Sequence, residues 1–182
     1  SARIYAEWKK KYHYAMILSL NISAIQYKQP DFVDKVMKIL GKYDISPEEI
    51  ELEITETILI DNFKEVTEKL VTLRNIGVKI SLDDFGTGYS SLSYLKGLPI
   101  DTLKVDKSFI DTVITDENTR IITESIIYMV KKLGFETIAE GVETQEQFDY
   151  LSAIDCDNIQ GYYLGRPMPP EEIEELLAEM LV

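Results

Sequence analysis

Two adjacent acids, Asp83 and Asp84, end an apolar run, Val78-Lys79-Ile80-Ser81-Leu82, and stand just before the glycine-rich stretch Gly86-Thr87-Gly88. Neighbouring carboxylates suit chemistry with two divalent cations, ~3.5–4 Å apart and bridged by one carboxylate, which activates water and neutralises a phosphodiester during in-line displacement. Further polar side chains close comparable apolar runs: Asn21, Glu53, Asp106, Glu140 and Gln160. None is Cys or His, and hard oxygen ligands point to Mg²⁺ or Mn²⁺ rather than zinc. Lys104 stands among them and can orient water or stabilise developing charge, while Glu140 can take the water's proton. Each residue also has a plainer reading: Asn21 as a turn former, Glu53 as a rim charge, Asp84 as a cap for the helix after the loop. Their shared position at the same end of successive runs argues for a site.

The elements that must position these residues alternate along the chain. β-rich apolar runs fall at Ala15–Ser23, Ile50–Thr55, Val78–Phe85, Thr102–Asp106, Glu136–Glu140 and, more weakly, Asn158–Tyr162. Segments of helical period separate them. Asp31–Tyr43 sets Phe32, Val36, Ile39 and Leu40 on one face; Asn62–Ile76 does the same with Val66, Leu70 and Leu73; Thr119–Leu133 with Ile122, Ile126, Met129 and Val130. Arg3–Tyr12 reads as an opening helix whose Ile4, Trp8 and Tyr12 pack inward. Gly41, Gly77 and Gly134 follow helical stretches, where a terminating glycine belongs. Pro169-Pro170 before Glu171-Glu172 starts the last helix, whose acids form a solvated face.

Six strand–helix alternations predict an α/β fold with a parallel sheet. A doubly wound sheet and a (β/α)₈ barrel both fit that alternation. A complete barrel takes ~250 residues, so six of its eight units amount to roughly 190, against 182 residues in the chain. Parity inside the strands adds a constraint. In Ile50-Glu51-Leu52-Glu53-Ile54 the aliphatics share one face and the glutamates the other; Leu103-Lys104-Val105-Asp106 repeats the split. Parallel strands are normally covered on both faces, so the polar face is expected to line an enclosed space such as a barrel interior. Charges there are costly unless paired or bound to metal.

Bulk properties exclude several classes. With 19 basic against 32 acidic residues and a net charge of −13, non-specific binding to duplex DNA or an anionic membrane is electrostatically unfavourable. A small phosphorylated ligand is still compatible when divalent cations intervene. No run approaches the roughly 18 apolar residues of a membrane span, and the N-terminus has no secretory pattern. The single cysteine, Cys156, permits no internal disulfide and reads as a packed thiol; a reducing, cytoplasmic setting is expected.

Taken together and in order, "NIS" (21–23), "ELEITE" (51–56), "DDFGTGYSSL" (83–92), "LKVDKSFI" (103–110), "AEGVET" (139–144) and "QGYYLGRP" (160–167) resemble the motifs of EAL domains, bacterial cyclic-di-GMP phosphodiesterases. The resemblance covers essentially the whole chain, as a single domain over 1–182. It implies a modified TIM barrel that hydrolyses cyclic di-GMP to linear pGpG with Mg²⁺ or Mn²⁺. It further implies Asn21, Glu53 and a shared Asp83 as ligands of one metal, and Asp84 and Glu140 as ligands of the second. Lys104 would hold the nucleophilic water and Glu140 would be its general base. Asp106, Glu143 and Gln160 would surround metal, water and substrate, and Arg166 would contact substrate. Glu56 would anchor the loop Phe85–Ser91, linking substrate binding, metal occupancy and homodimer formation.

The Glu-Ala-Leu motif that names the family, with its nearby arginine, is absent from the 182 residues; Ala6-Glu7-Trp8 sits on the helix before the "NIS" strand and cannot replace it. The expectation is a domain lacking its first two βα units, hence one metal-ligating glutamate and one substrate-binding arginine, with little turnover from this chain alone. A parent joined to GGDEF or sensor domains, and tethered to a membrane through them, fits this expectation. A non-catalytic, cyclic-di-GMP-binding regulatory module is the alternative, and a different barrel enzyme acting on a sugar phosphate or enolisable acid is a third reading.

Overall fold

The structure, a computed structural model, describes residues 1–13, 16–61, 63–86 and 95–180. Six strands form one sheet in the order β1-β2-β3-β4-β5-β6: β1 Leu18–Ile22, β2 Ile50–Thr55, β3 Lys79–Phe85, β4 Thr102–Val105, β5 Glu136–Ala139 and β6 Asn158–Ile159. Every adjacent pair is parallel. The helices among the described residues are α1 Ala2–Tyr12, α2 Ala24–Tyr27, α3 Phe32–Tyr43, α4 Glu56–Asp61, α5 Phe63–Asn75, α6 Lys107–Ile110, α7 Glu117–Lys132, α8 Gln145–Ala153 and α9 Pro170–Met180, with a 3₁₀ turn at Pro47–Glu49. The first strand run of the sequence reading begins on Ala15, outside the described residues.

One face of the sheet is the core. Leu52, Ile54, Ile80, Leu82, Leu103 and Val105 are all 2% exposed or less, and α5 covers them with Val66, Leu70 and Leu73. The sheet stays open, with β1 and β6 at its ends. Outside it, the first and last helices meet: Lys11 pairs with Glu174, and the Tyr12 hydroxyl donates to Glu174 Oε1 at 3.3 Å.

Helical period located the helices but not always their buried centre. α7 buries Thr123, Ile127 and Val130, whereas Ile122 is 46% exposed, as is Ile39 of α3. Both lie at the margin of an apolar stripe, where periodicity alone cannot place the boundary. In α1 the buried residue is Tyr5, whose hydroxyl donates to the Met16 carbonyl at 2.7 Å; Ile4, Trp8 and Tyr12 are half-buried. Gly77 (φ 103°) and Gly134 (φ 86°) do follow helices in left-handed conformation. Gly41 does not: it lies inside α3, which ends on Asp44 at φ 54°, since aspartate tolerates that conformation better than most residues.

The N-terminal ends of the strands carry structural ties. Asp157 Oδ2 accepts from the Thr137 amide (2.9 Å) and hydroxyl (2.7 Å), and Oδ1 pairs with Lys131 at 3.1 Å. Burial raises the Asp157 pKa, but the Thr137 bonds and Lys131 outweigh it and hold the carboxyl below the ordinary aspartate range. A depressed folded pKa gives stability that is present above the unfolded value of ~3.9 and is lost as pH falls through the folded one. Asp157→Asn is therefore expected to cost about 1–3 kcal/mol at pH 7. Urea melts should show the gap from the native chain narrowing below about pH 4.

Candidate metal centre

The second face of the sheet is polar, because alternation turns Asn21, Glu53, Asp83 and Lys104 to the side opposite the core. Parallel register lines them up. Asn21 stands opposite Glu53 on β2, and Asp83 stands opposite Thr55. Glu140, Asp106 and Gln160 each follow the last residue of β5, β4 and β6. All these groups collect at the C-terminal ends of the strands, where (β/α) barrels keep their chemistry.

The paired acids occupy a break in the ladder. Leu82 pairs with Leu103 and Phe85 with Val105, with an irregularity between. Asp83 and Asp84 therefore stand together opposite the single residue Lys104, which is a β-bulge. The extra residue turns the chain: Asp84 adopts φ 56°, and its amide donates to Asp83 Oδ1 at 3.0 Å. Without the bulge, alternation would point the two side chains to opposite faces. Asp84 thus lies within a strand and caps no described helix.

Lys104 is the hub. Its side chain is 3% exposed, and Nζ lies 2.7 Å from Glu140 Oε1, 3.0 Å from Glu53 Oε2 and 3.3 Å from Asp83 Oδ1. Burial works to lower its pKa, but bonds to Glu140 and then Glu53 outweigh that and keep the ammonium protonated above the ordinary lysine range. Burial pushes the Glu140 carboxyl up, against the pull of Lys104 and with help from Asp83. Burial likewise raises Asp84, aided by the charges of Asp83 and Asp106.

One ammonium cannot neutralise four carboxylates. Asp83, Asp84 and Glu140 bring ligand oxygens within 4.8 Å of one another, and Glu53 adds a fourth acid beside the same lysine. Excess charge and hard oxygen donors suit Mg²⁺ or Mn²⁺, so the residues present fit a divalent-cation site. Asn21 is exposed on β1 next to Glu53.

The surrounding residues divide. Glu56 Oε1 accepts from the Gly86 amide at 3.2 Å, tying the start of α4 to the chain just after the acidic pair. A Cβ on Gly86 would meet Phe109 Cε2 at 2.5 Å, and its φ is 99°, so glycine is required there. The rest of the loop, 87–91, lies outside the described residues. Asp106 caps α6, accepting from the Ser108 amide at 2.9 Å. Glu143 is exposed and pairs with Lys107, a partner the sequence reading missed although it directly follows Asp106. Arg166 stacks over the Tyr162 ring at 4.9 Å. Gln160 is exposed, its amide and carbonyl joining Ala139 and Val142. Cys156 is a packed thiol: its Sγ donates to the Asn158 carbonyl at 3.2 Å, and burial pushes its pKa up.

Gly161 holds this corner of the site together. A Cβ there would lie 2.1 Å from the Val142 carbonyl oxygen and 2.3 Å from its amide nitrogen. Gly161→Ala is expected to destabilise the fold by about 1–3 kcal/mol, a loss that denaturant titration would register.

Parallel strands gathering acidic side chains at their C-terminal ends define a TIM-barrel-like α/β protein with a carboxylate cluster able to hold a metal. The EAL domain family matches residues 1–167, and the chain belongs to that family. Signaling protein YkoW of Bacillus subtilis is 43% identical over 166 residues, 91% of this chain and 21% of that protein. The solved PaMucR phosphodiesterase in complex with c-di-GMP superposes with a TM-score of 0.89 at 37% identity, covering 94% of this chain and 70% of that one. The manganese/cy-diGMP complex of Klebsiella pneumoniae BlrP1 gives a TM-score of 0.82 at 30% identity over 91% of this chain and 42% of that one. The chain spans between 20% and 29% of the length of the curated relatives it matches. Among the described residues no helix is long and apolar enough to cross a membrane.

Proposed function

We propose that the chain is the metal- and substrate-facing part of a phosphodiesterase that hydrolyses cyclic di-GMP to linear pGpG. The observation that carries this reading is the buried Lys104 ammonium held by Glu53, Asp83 and Glu140 beside Asp84, in a chain similar to PaMucR and BlrP1, both solved in complex with cyclic di-GMP. Asn21, Glu53 and Asp83 would hold one cation, and Asp83, Asp84 and Glu140 the second. Mg²⁺ or Mn²⁺ bound there supplies Lewis-acid neutralisation of the phosphodiester and acidifies water. Lys104 orients that water and offsets developing negative charge. Glu140 takes its proton, its Oε1 lying 2.7 Å from the Lys104 ammonium that orients the water. Asp106, Glu143 and Gln160 shape the polar rim, Arg166 contacts substrate, and Glu56 couples the loop after the acidic pair to occupancy of the site. A cytoplasmic homodimer fused to GGDEF or sensor domains fits this reading, since relatives include a bifunctional diguanylate cyclase/phosphodiesterase and an oxygen sensor.

Calorimetry with cyclic di-GMP and Mn²⁺, and chromatography of pGpG over long incubation, test the proposal. Metal-dependent binding with slow pGpG formation is the expected result, because the 182 residues contain no Glu-Ala-Leu glutamate. Absence of metal-dependent binding would overturn it. Binding with no trace of pGpG would favour the regulatory module instead.

A further inference from the structure

A second polar layer lies beneath the metal-binding one, on the same face of the sheet. Ser19, Glu51, Ser81 and Thr102 stand two residues before Asn21, Glu53, Asp83 and Lys104 respectively. Glu51 is 7% exposed. Ser19 Oγ donates to Glu51 Oε2 at 2.8 Å, and Thr102 Oγ1 donates to Glu51 Oε1 at 3.2 Å. These three residues belong to β1, β2 and β4. The Thr102 bond therefore passes over β3, spanning strands roughly 9–10 Å apart. It crosses at Ser81, which is in register with Thr102 and is 0% exposed. One layer up, the Lys104–Glu53 bond crosses β3 in the same way.

Two hydroxyls, and among the described residues no lysine or arginine, satisfy the Glu51 carboxylate. The site above already carries surplus negative charge, and Glu51 lies one layer below it, held by hydroxyls rather than by the Lys104 ammonium. What Glu51 supplies is reach and two acceptor oxygens that join three strands of the described sheet. We infer that Glu51 is a positioning residue, whose tie to Ser19 and Thr102 fixes the spacing of β1, β2 and β4 and so the separation of Asn21, Glu53 and Lys104. The consequence for metal binding rests on the reading of the upper layer as a divalent-cation site.

Three variants separate the tie from charge and from mere stability. In Glu51→Gln the serine and threonine hydroxyls can each donate or accept, so an amide keeps both bonds. Glu51→Ala removes both, and Thr102→Val removes one while keeping the side-chain shape. Mn²⁺ alone is titrated by calorimetry, and the ¹⁵N resonance of the Lys104 ammonium is recorded without metal. Glu51→Ala and Thr102→Val are expected to weaken Mn²⁺ binding by roughly 10-fold and to shift or broaden the Lys104 signal, while Glu51→Gln stays close to native in both. If Glu51→Ala does not fold, Thr102→Val carries the test. Native affinity and an unchanged Lys104 signal in folded Thr102→Val overturn the inference, as does a Glu51→Gln chain as impaired as Glu51→Ala. Should the native chain bind no Mn²⁺, the metal reading fails separately, and the Lys104 signal still decides the tie.

Discussion

Replacing Lys104 with methionine is expected to lower the stability of the metal-free protein by about 3–5 kcal/mol, the usual cost of removing one partner from a buried ion pair. Methionine retains much of the side chain's length but leaves Glu53, Asp83 and Glu140 facing one another without the ammonium that now lies within 3.3 Å of each. Metal should reverse much of the loss, since a ligand at 100 times its Kd adds about 2.7 kcal/mol to the folded state. The variant should gain more from Mn²⁺ than the native chain does, because its carboxylates no longer share a lysine. Hydrolysis should nevertheless fall by about 10²–10³-fold, the range for losing one preorganised electrostatic partner. Thermal melts in EDTA and in Mn²⁺ check the first part, and pGpG formation the second. A variant as stable as the native chain in EDTA would show that the lysine does not neutralise the cluster.

The opposite sign is expected at the bulge. Asp84 sits at φ 56°, which costs a residue with a Cβ roughly 1–2 kcal/mol, and its carboxyl is pushed up by burial and by Asp83 and Asp106. Asp84→Gly relieves both the backbone and the repulsion, so the metal-free protein should become more stable by about 1 kcal/mol. The same change removes a ligand from the Asp83–Asp84–Glu140 cluster. Mn²⁺ affinity should drop by more than roughly 100-fold, beyond what loss of an outer partner costs. Asp84→Asn, which removes the charge but keeps a Cβ at this backbone position, should lose the affinity and keep only the part of the gain that comes from relieved repulsion. Equal stability of the glycine and asparagine variants would argue against strain at this position.

The contrast between these residues shows what could be read from the sequence. Asn21, Glu53 and Lys104 were legible as one polar face because a strand's period of two leaves no other arrangement for Leu-Glu-Ile or Leu-Lys-Val. Glu140 was legible by its position at the end of β5. The convergence of Asp83 and Asp84 was not derivable from parity, since a bulge depends on how β3 pairs with β4 and nothing in the local sequence declares it. Asp106 shows a second limit: its carboxylate caps α6, a local bond that competes with a role pointed inward. Ile39 and Ile122 show a third, for a helical stripe has edges that only the neighbouring element defines. Lys107 escaped notice because its partner Glu143 lies 36 residues away, beyond any local pattern.

The order of the strands has a consequence for how the molecule comes into being. Each strand pairs with the one before it in the chain, so the sheet can grow one unit at a time as the polypeptide leaves the ribosome, with few contacts waiting on distant sequence. Glu53 and Asp83 can then come together before Lys104 has left the ribosome, and Glu140 emerges later still. The nascent sheet passes through a stage with Glu53, Asp83 and Asp84 assembled and the ammonium still missing. During that interval a cellular divalent cation is the natural counter-charge, so the metal can act as a folding partner before it serves in chemistry.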